Sequence, residues 1–289
     1  MSSLKEIKSR IQSVGSTRKI TSAMKMVSSA KLRKSQRAIE SFLPYENKLN
    51  TLLTNFLSAD TDTTSPYADE RQIENVAIVA ISSNSSLCGA FNSNVARLLT
   101  QTINEYKHLK KSNIKIYPLG KKVAKSAGKI GFSYENNFEN IVEKPTYESI
   151  AEVAEQLMND FLNKKIDRVE LIFHHFKNKS SQILQRQIFL PFSLKNDKDD
   201  NQQDLYYIVE PSREQILNEL IPKVIKLKLY AALLDSNASE HAARTVAMQI
   251  ATDNANDLLS ELTLQYNKSR QQAITAELLD ITGATFAVQ

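Results

Sequence analysis

Apolar residues near the C-terminus recur at threes and fours. Ile216, Leu220, Ile221, Val224 and Leu227 begin the series, and Ala243, Ala247, Ile250, Ala251, Ala255, Leu258 and Leu262 continue it. That is a helical period and not the alternation of a strand. From Lys223 to Thr282 neither glycine nor proline interrupts it. At about 1.5 Å per residue this stretch alone predicts a helix of roughly 90 Å. So long a helix cannot fold back inside a compact domain, so it protrudes and needs a partner for its apolar stripe. The other end of the chain offers one. Leu4, Ile7, Ile11, Val14, Ile20, Met24 and Val27 repeat in the same way and read as a coiled-coil seam. They predict a helix from Leu4 to about Leu57, with Gly15 a weak point and Pro44 a kink.

Between these helices the period changes. Val76–Ile81 is a short continuous apolar run, as in a strand covered on both faces. Asn92–Lys111 reads as a helix, Ile114–Leu119 as a second strand and Lys121–Ala127 as a short helix closed by Gly128. Tyr147–Asn163 reads as another helix. Arg168–Phe176 and Gln182–Phe192 flank the polar residues 177–181 and predict a hairpin. The charged run Ser193–Asp204 reads as a flexible insertion, Leu205–Glu210 as a last strand, and Ser212 as the N-cap of the terminal helix. Strand–helix alternation predicts a small parallel-type sheet with helices packed on it.

The fold class expected is therefore α/β. A long antiparallel coiled coil joins the N- and C-terminal helices, and a small Rossmann-like α/β domain lies between them. Residues 1–57 form the first coiled-coil helix, 73–210 the globular domain and 211–289 the second coiled-coil helix. Residues 58–72, rich in small polar side chains, read as a surface linker.

Composition changes this picture little. Among the 289 residues there is no apolar run long enough to span a bilayer. The N-terminus lacks a secretory signal. It has a faint likeness to a mitochondrial presequence, but the seam running on to Met24 reads it as mature structure. The single cysteine, Cys88, fits a reducing compartment. The net charge of +5 is unevenly placed, with ten basic residues against two acidic ones between Met1 and Glu40. Such a helix either seeks an anionic partner or carries a solvated basic face.

Candidate chemistry in the middle of the chain is thin. Residues 82–92 (SSNSSLCGAFN) follow a strand and precede a helix, where nucleotide folds hold phosphates. With one glycine and no phosphate-loop pattern, a tight turn is the better reading. Cys88 has no recognisable partner base. His174 and His175 sit on one strand and point to opposite faces, and His108 and His241 lie in helical stretches without a second ligand one turn on. Neither a metal spacing nor a catalytic triad emerges, so no cofactor is expected. The helix itself is more informative. Residues 238–255 (ASEHAARTVAMQIATDNA) are mostly small, which lets two backbones approach closely, and Asp253, Asn254 and Asn256 are poor helix formers that suggest contacts outside the pair.

Two stretches carry a family resemblance. ITSAMKMVSSAKLRKSQ (20–36) and SEHAARTVAMQIATDNANDLLSELTLQYNKSRQQAITAE (239–277) resemble the gamma subunit of F-type ATP synthase, and the likeness runs from end to end. It implies a non-catalytic rotating central stalk that couples proton flow to ATP synthesis or hydrolysis in the beta subunits. Its implied partners are the ring of three alpha and three beta subunits, the epsilon subunit and the ring of c subunits. It implies a peripheral location on the cytoplasmic face of a bacterial inner membrane, reached only through the membrane sector. It also implies roles. Met24 and Lys25 match where the shaft faces the acidic loop of beta, and Arg244, Gln271, Thr275 and Glu277 match where it touches beta higher up. Asn84-Ser85-Ser86 stands where the family usually has Asp-Arg-Gly, and the cysteine pair of the chloroplast thiol switch is absent. The rival reading is a basic coiled coil that binds nucleic acid or serves as a scaffold. The near-absence of aromatic residues in 1–37 argues against nucleic acid.

Overall fold

The computed structural model describes residues 4–58, 65–132, 134, 138–192 and 212–286. Its first and last elements are the two expected helices, α1 (Leu4–Ser58) and α6 (Arg213–Phe286). Gly15 does not break α1; a Cβ there would meet no atom within 4 Å. Pro44 lies inside α1 and Pro222 inside α6, and neither ends its helix. Ser212 caps α6, its Oγ accepting from the Gln215 amide at 3.3 Å. The residues expected as insertion and last strand, 193–210, lie outside the described residues.

Between the helices run β1 (Val76–Ile81), α2 (Phe91–Glu105), β2 (Ile114–Leu119), α3 (Lys121–Lys129), α4 (Glu139–Glu143), α5 (Tyr147–Leu162), β3 (Arg168–Phe176) and β4 (Gln182–Leu190). The strand order is β2-β1-β3-β4. β1 is parallel to both neighbours, and β3 and β4 form the antiparallel hairpin. The sheet is thus mixed, as a hairpin on a parallel core requires. The helix expected over Asn92–Lys111 stops at Glu105, so His108 lies in the following turn and not in a helix. The stop lets Tyr106 turn inward and donate to the buried Glu170 of β3. Gly128 lies inside α3 and does not end it.

Two compact units emerge, one of residues 1–29 with 244–289 and the other of residues 30–243. In the second unit the sheet is covered on both faces. Val76, Ile78 and Ala80 pack with Val95, Leu99 and Val123 of α2 and α3. Ala77, Val79 and Ile81 pack with Ile150, Leu157 and Phe161 of α5 and with Leu217, Ile221, Ile225 and Leu229 of α6. Residue alternation along β1 therefore feeds two cores, which is why the strand is apolar throughout. The turn after β2 is closed by Gly120 at φ 109°, where a Cβ would stand 2.3 Å from the Ser82 carbonyl oxygen. Only glycine fits that approach.

Candidate partner interface

In the first unit α1 and α6 pair antiparallel. Arg18 Nη1 donates to Asn256 Oδ1 at 3.4 Å, Thr252 Oγ1 to Thr21 Oγ1 at 2.8 Å, and Lys25 Nζ to Gln249 Oε1 at 2.8 Å. The inward positions of α1 are Ile7, Ile11, Val14, Thr21, Lys25 and Ser28, while Arg18, which their spacing would also place in the seam, is exposed at its edge. On α6 they are Thr245, Met248, Thr252, Ala255, Leu259, Leu262, Tyr266, Ser269 and Ala273. Both runs are heptad seams, but their middles are polar and small.

This corrects the sequence-based seam. Ile7, Ile11 and Val14 do face inward. Ile20 and Val27 are 60% and 58% exposed, and Ile250, placed in the α6 stripe, is 55% exposed. The apolar period continues past Val14, but its phase shifts outward, and polar residues take the interior. The helix pair therefore leaves a number of large apolar side chains exposed. Ile20, Met26 and Val27 are among them on α1, and Ile250, Leu258, Leu264, Ile274 and Leu278 on α6. Isolated exposed apolar side chains are ordinary, but here they accompany a seam whose own middle is polar.

The six residues singled out by resemblance fall in different settings. Met24 is half-buried. Lys25 is also half-buried and lies in the seam, bonded to Gln249, whose amide donates in turn to Asp253 at 2.8 Å. Sequence reasoning missed Gln249, although the Gln249–Asp253 spacing of four on a helix was legible. Arg244 is only 8% exposed. Gln271, Thr275 and Glu277 are exposed, and Thr275 Oγ1 donates back to the Gln271 carbonyl at 2.9 Å. Arg244 and Gln271 stand 27 residues apart, about 40 Å along a helix axis. They form no single site. Of the residues suspected of outside contacts, Asn256 bonds Arg18 within the pair, and Asp253 accepts from Gln249.

The sheet unit holds no catalytic arrangement among the described residues. The turn after β1 spends its polar groups on itself and on α3 and α4, Asn84 accepting from the Lys121 amide and donating to the Glu139 carbonyl. Ser83 Oγ donates to the Ser85 carbonyl at 2.6 Å, and Asn92 Nδ2 donates to Ser83 Oγ and to Cys88 Sγ at 2.8 and 3.0 Å. The turn reading stands, and nothing there is aimed at a phosphate. His174 stacks on Phe91 at 4.3 Å, and burial lowers its pKa to about 4. His175 instead meets Asp235 of α6, with Nδ1 2.6 Å from Oδ2. No group of three or more metal-ligating side chains occurs among the described residues.

Fold and surface together define a protein of paired terminal helices with a small α/β unit between them in the chain. Comparisons with known proteins say which. The ATP synthase family model matches residues 3–288. The ATP synthase gamma chain of Bacteroides fragilis is 58% identical over 290 residues, covering 99% of this chain and all of that one. That of Phocaeicola vulgatus is 55% identical with the same coverage. Among solved structures, a chain of the Euglena gracilis mitochondrial ATP synthase, described as OSCP/F1/c-ring in rotational state 3, matches at TM-score 0.70 and 22% identity. The match covers 99% of this chain and 94% of that one, and it speaks to the fold. The chain belongs to the ATP synthase gamma chain family. It is a non-catalytic subunit of that enzyme.

Proposed function

We propose that this chain turns inside a ring of alpha and beta subunits and carries rotation between that ring and the ring of c subunits. The carrying observation is the set of exposed large apolar side chains, Ile20, Val27 and Ile250 among them, on a helix pair whose own seam is polar. A pair built only for its own stability would put those apolar side chains inside. Coupling proton flow to ATP made or split on beta requires that the pair present a different face to each catalytic site. A surface with apolar and basic side chains unevenly placed around it does this, because each site then meets a different contact energy as the stalk turns. Met24, Lys25, Arg244, Gln271, Thr275 and Glu277 are the proposed ring contacts, and the epsilon subunit is a further proposed partner.

In this reading residues 1–57 and 211–289 are the working helices and 73–210 the globular body. No helix among the described residues is long and apolar enough to cross a membrane. Association with the cytoplasmic face of the bacterial inner membrane would come through the membrane sector alone. The comparisons give no support to the nucleic-acid reading.

The test is reconstitution. The chain assembled with alpha and beta subunits of a close relative, and with the membrane sector in vesicles, is expected to pump protons when given ATP. The purified chain by itself is expected to hydrolyse none. Pumping that does not depend on this chain, or hydrolysis by the chain alone, would overturn the proposal.

A further inference from the structure

Along its first turns α6 meets the sheet unit through apolar side chains, Leu217, Ile221, Ile225, Leu229 and Leu233 among them. Such contact is non-directional. It resists separation, but it sets only a weak penalty on a helix turning about its own axis. Lys226 also pairs with Glu155 of α5, but that glutamate is 54% exposed and such a pair is weak. From Asp235 on, hydrogen bonds to the sheet unit take over.

Asp235 accepts from the Phe176 amide and pairs with His175 Nδ1 at 2.6 Å, both at the end of β3. Ser239, one turn on and fully buried, donates Oγ to the His174 carbonyl at 3.3 Å, again on β3. Asn237 points elsewhere. At about 100° per residue it lies about 160° around the helix from Ser239. It is 7% exposed and bonded twice. Its Nδ2 donates to the Val142 carbonyl of α4 at 3.1 Å, and its Oδ1 accepts from Ser35 of α1 at 2.7 Å. α4 is itself braced. Asn84 Nδ2 donates to the Glu139 carbonyl at 2.8 Å, and Lys121 Nζ stands 2.8 Å from Glu139 Oε2. Within about one turn, then, directional bonds hold α6 from two opposed sides.

We infer that Asp235, Asn237 and Ser239 are the positioning residues by which the sheet unit holds α6 against rotation about its own axis, so that load applied to the body is carried by the helix without slip. The inference rests on the stalk reading. Hydrogen bonds suit the task because they weaken steeply with misalignment, whereas apolar contact does not.

The test uses the whole enzyme reconstituted in vesicles, with ATP hydrolysis and ATP-driven proton pumping measured on the same preparation. Asp235→Ala with Asn237→Ala, which opens both sides, is expected to lower protons pumped per ATP by about threefold or more, the scale of one or two lost hydrogen bonds, with hydrolysis little changed. Leu229→Ala, which weakens the apolar contact and leaves the polar bonds in place, is expected to lower thermal stability while the pumping ratio holds. Should the double variant fail to assemble, Ser35→Ala with Ser239→Ala takes one bond from each side and is expected to move the ratio in the same direction. A normal ratio in the opened variants would overturn the inference, and so would an equal fall in Leu229→Ala. Absence of pumping with the unaltered chain would instead overturn the stalk reading, and this inference with it.

Discussion

Thr252 Oγ1 donates to Thr21 Oγ1 at 2.8 Å across the helix pair, in a position where a coiled coil made for stability would carry leucine or valine. Each hydroxyl has a second outlet, Thr21 to the Arg18 carbonyl at 3.0 Å and Thr252 to the Met248 carbonyl at 2.7 Å. Neither is orphaned when its partner is lost. Thr21→Val or Thr252→Val alone is therefore expected to cost less than about 1 kcal/mol, and the double variant to be neutral or stabilising. Urea unfolding of the two singles and the double checks this. A double variant clearly less stable than either single would show that the polar seam itself holds the pair together.

Lys25 sits half in the seam, its ammonium on Gln249. Charge reversal, Lys25→Glu, leaves a side chain that the Gln249 amide can still bond, so the helix pair should persist. Assembly of the complex is expected to survive while proton pumping per ATP falls. Equal loss of assembly and coupling would argue that Lys25 is only part of the pair.

Glu170 is the most consequential buried charge of the sheet unit. It is 2% exposed, and it accepts from Tyr106, from Arg186 Nε and from Arg186 Nη2 at 3.0 Å. Arg186 also reaches Glu105 at 2.7 Å, which ties α2, β3 and β4 together. Removing the carboxylate leaves the half-buried guanidinium with Glu105 alone and the buried phenol without its acceptor. Glu170→Ala is expected to destabilise the chain by roughly 3–5 kcal/mol, seen as an earlier urea midpoint. Glu170→Gln, which keeps the size and one acceptor, should cost less.

Tyr106 gives a pH signature. Burial first, then its bond to Glu170 and the charge there, push its pKa from 10.0 to about 12. A phenol raised on folding contributes stability that is whole below its unfolded value and lost as pH climbs through its folded one. The window is therefore pH 10 to about 12. Across it the chain should lose stability faster than Tyr106→Phe does, and the gap between them should narrow as the pH rises. Urea midpoints for both proteins over that range would show it. Parallel lines would mean that Tyr106 does not titrate with unfolding.

The sequence by itself determined that both ends are long helices. The reason is local: a helical apolar period with few breakers specifies a helix whatever it packs on. The strands Val76–Ile81, Ile114–Leu119 and Arg168–Phe176 were legible to the residue, since runs of β-branched and aromatic residues between polar turns leave little choice. The tertiary structure alone decided which stripe faces inward. Ile20 and Val27 fit a seam by period as well as Thr21 and Ser28 do, and in a lone helix burial would favour the former. Only the antiparallel register, fixed by such pairs as Lys25 with Gln249, turns the apolar residues outward. The bonds from Asp235, Asn237 and Ser239 were equally hidden. Their partners lie 60 or more residues away in the chain, and no local pattern records a contact that only folding brings about.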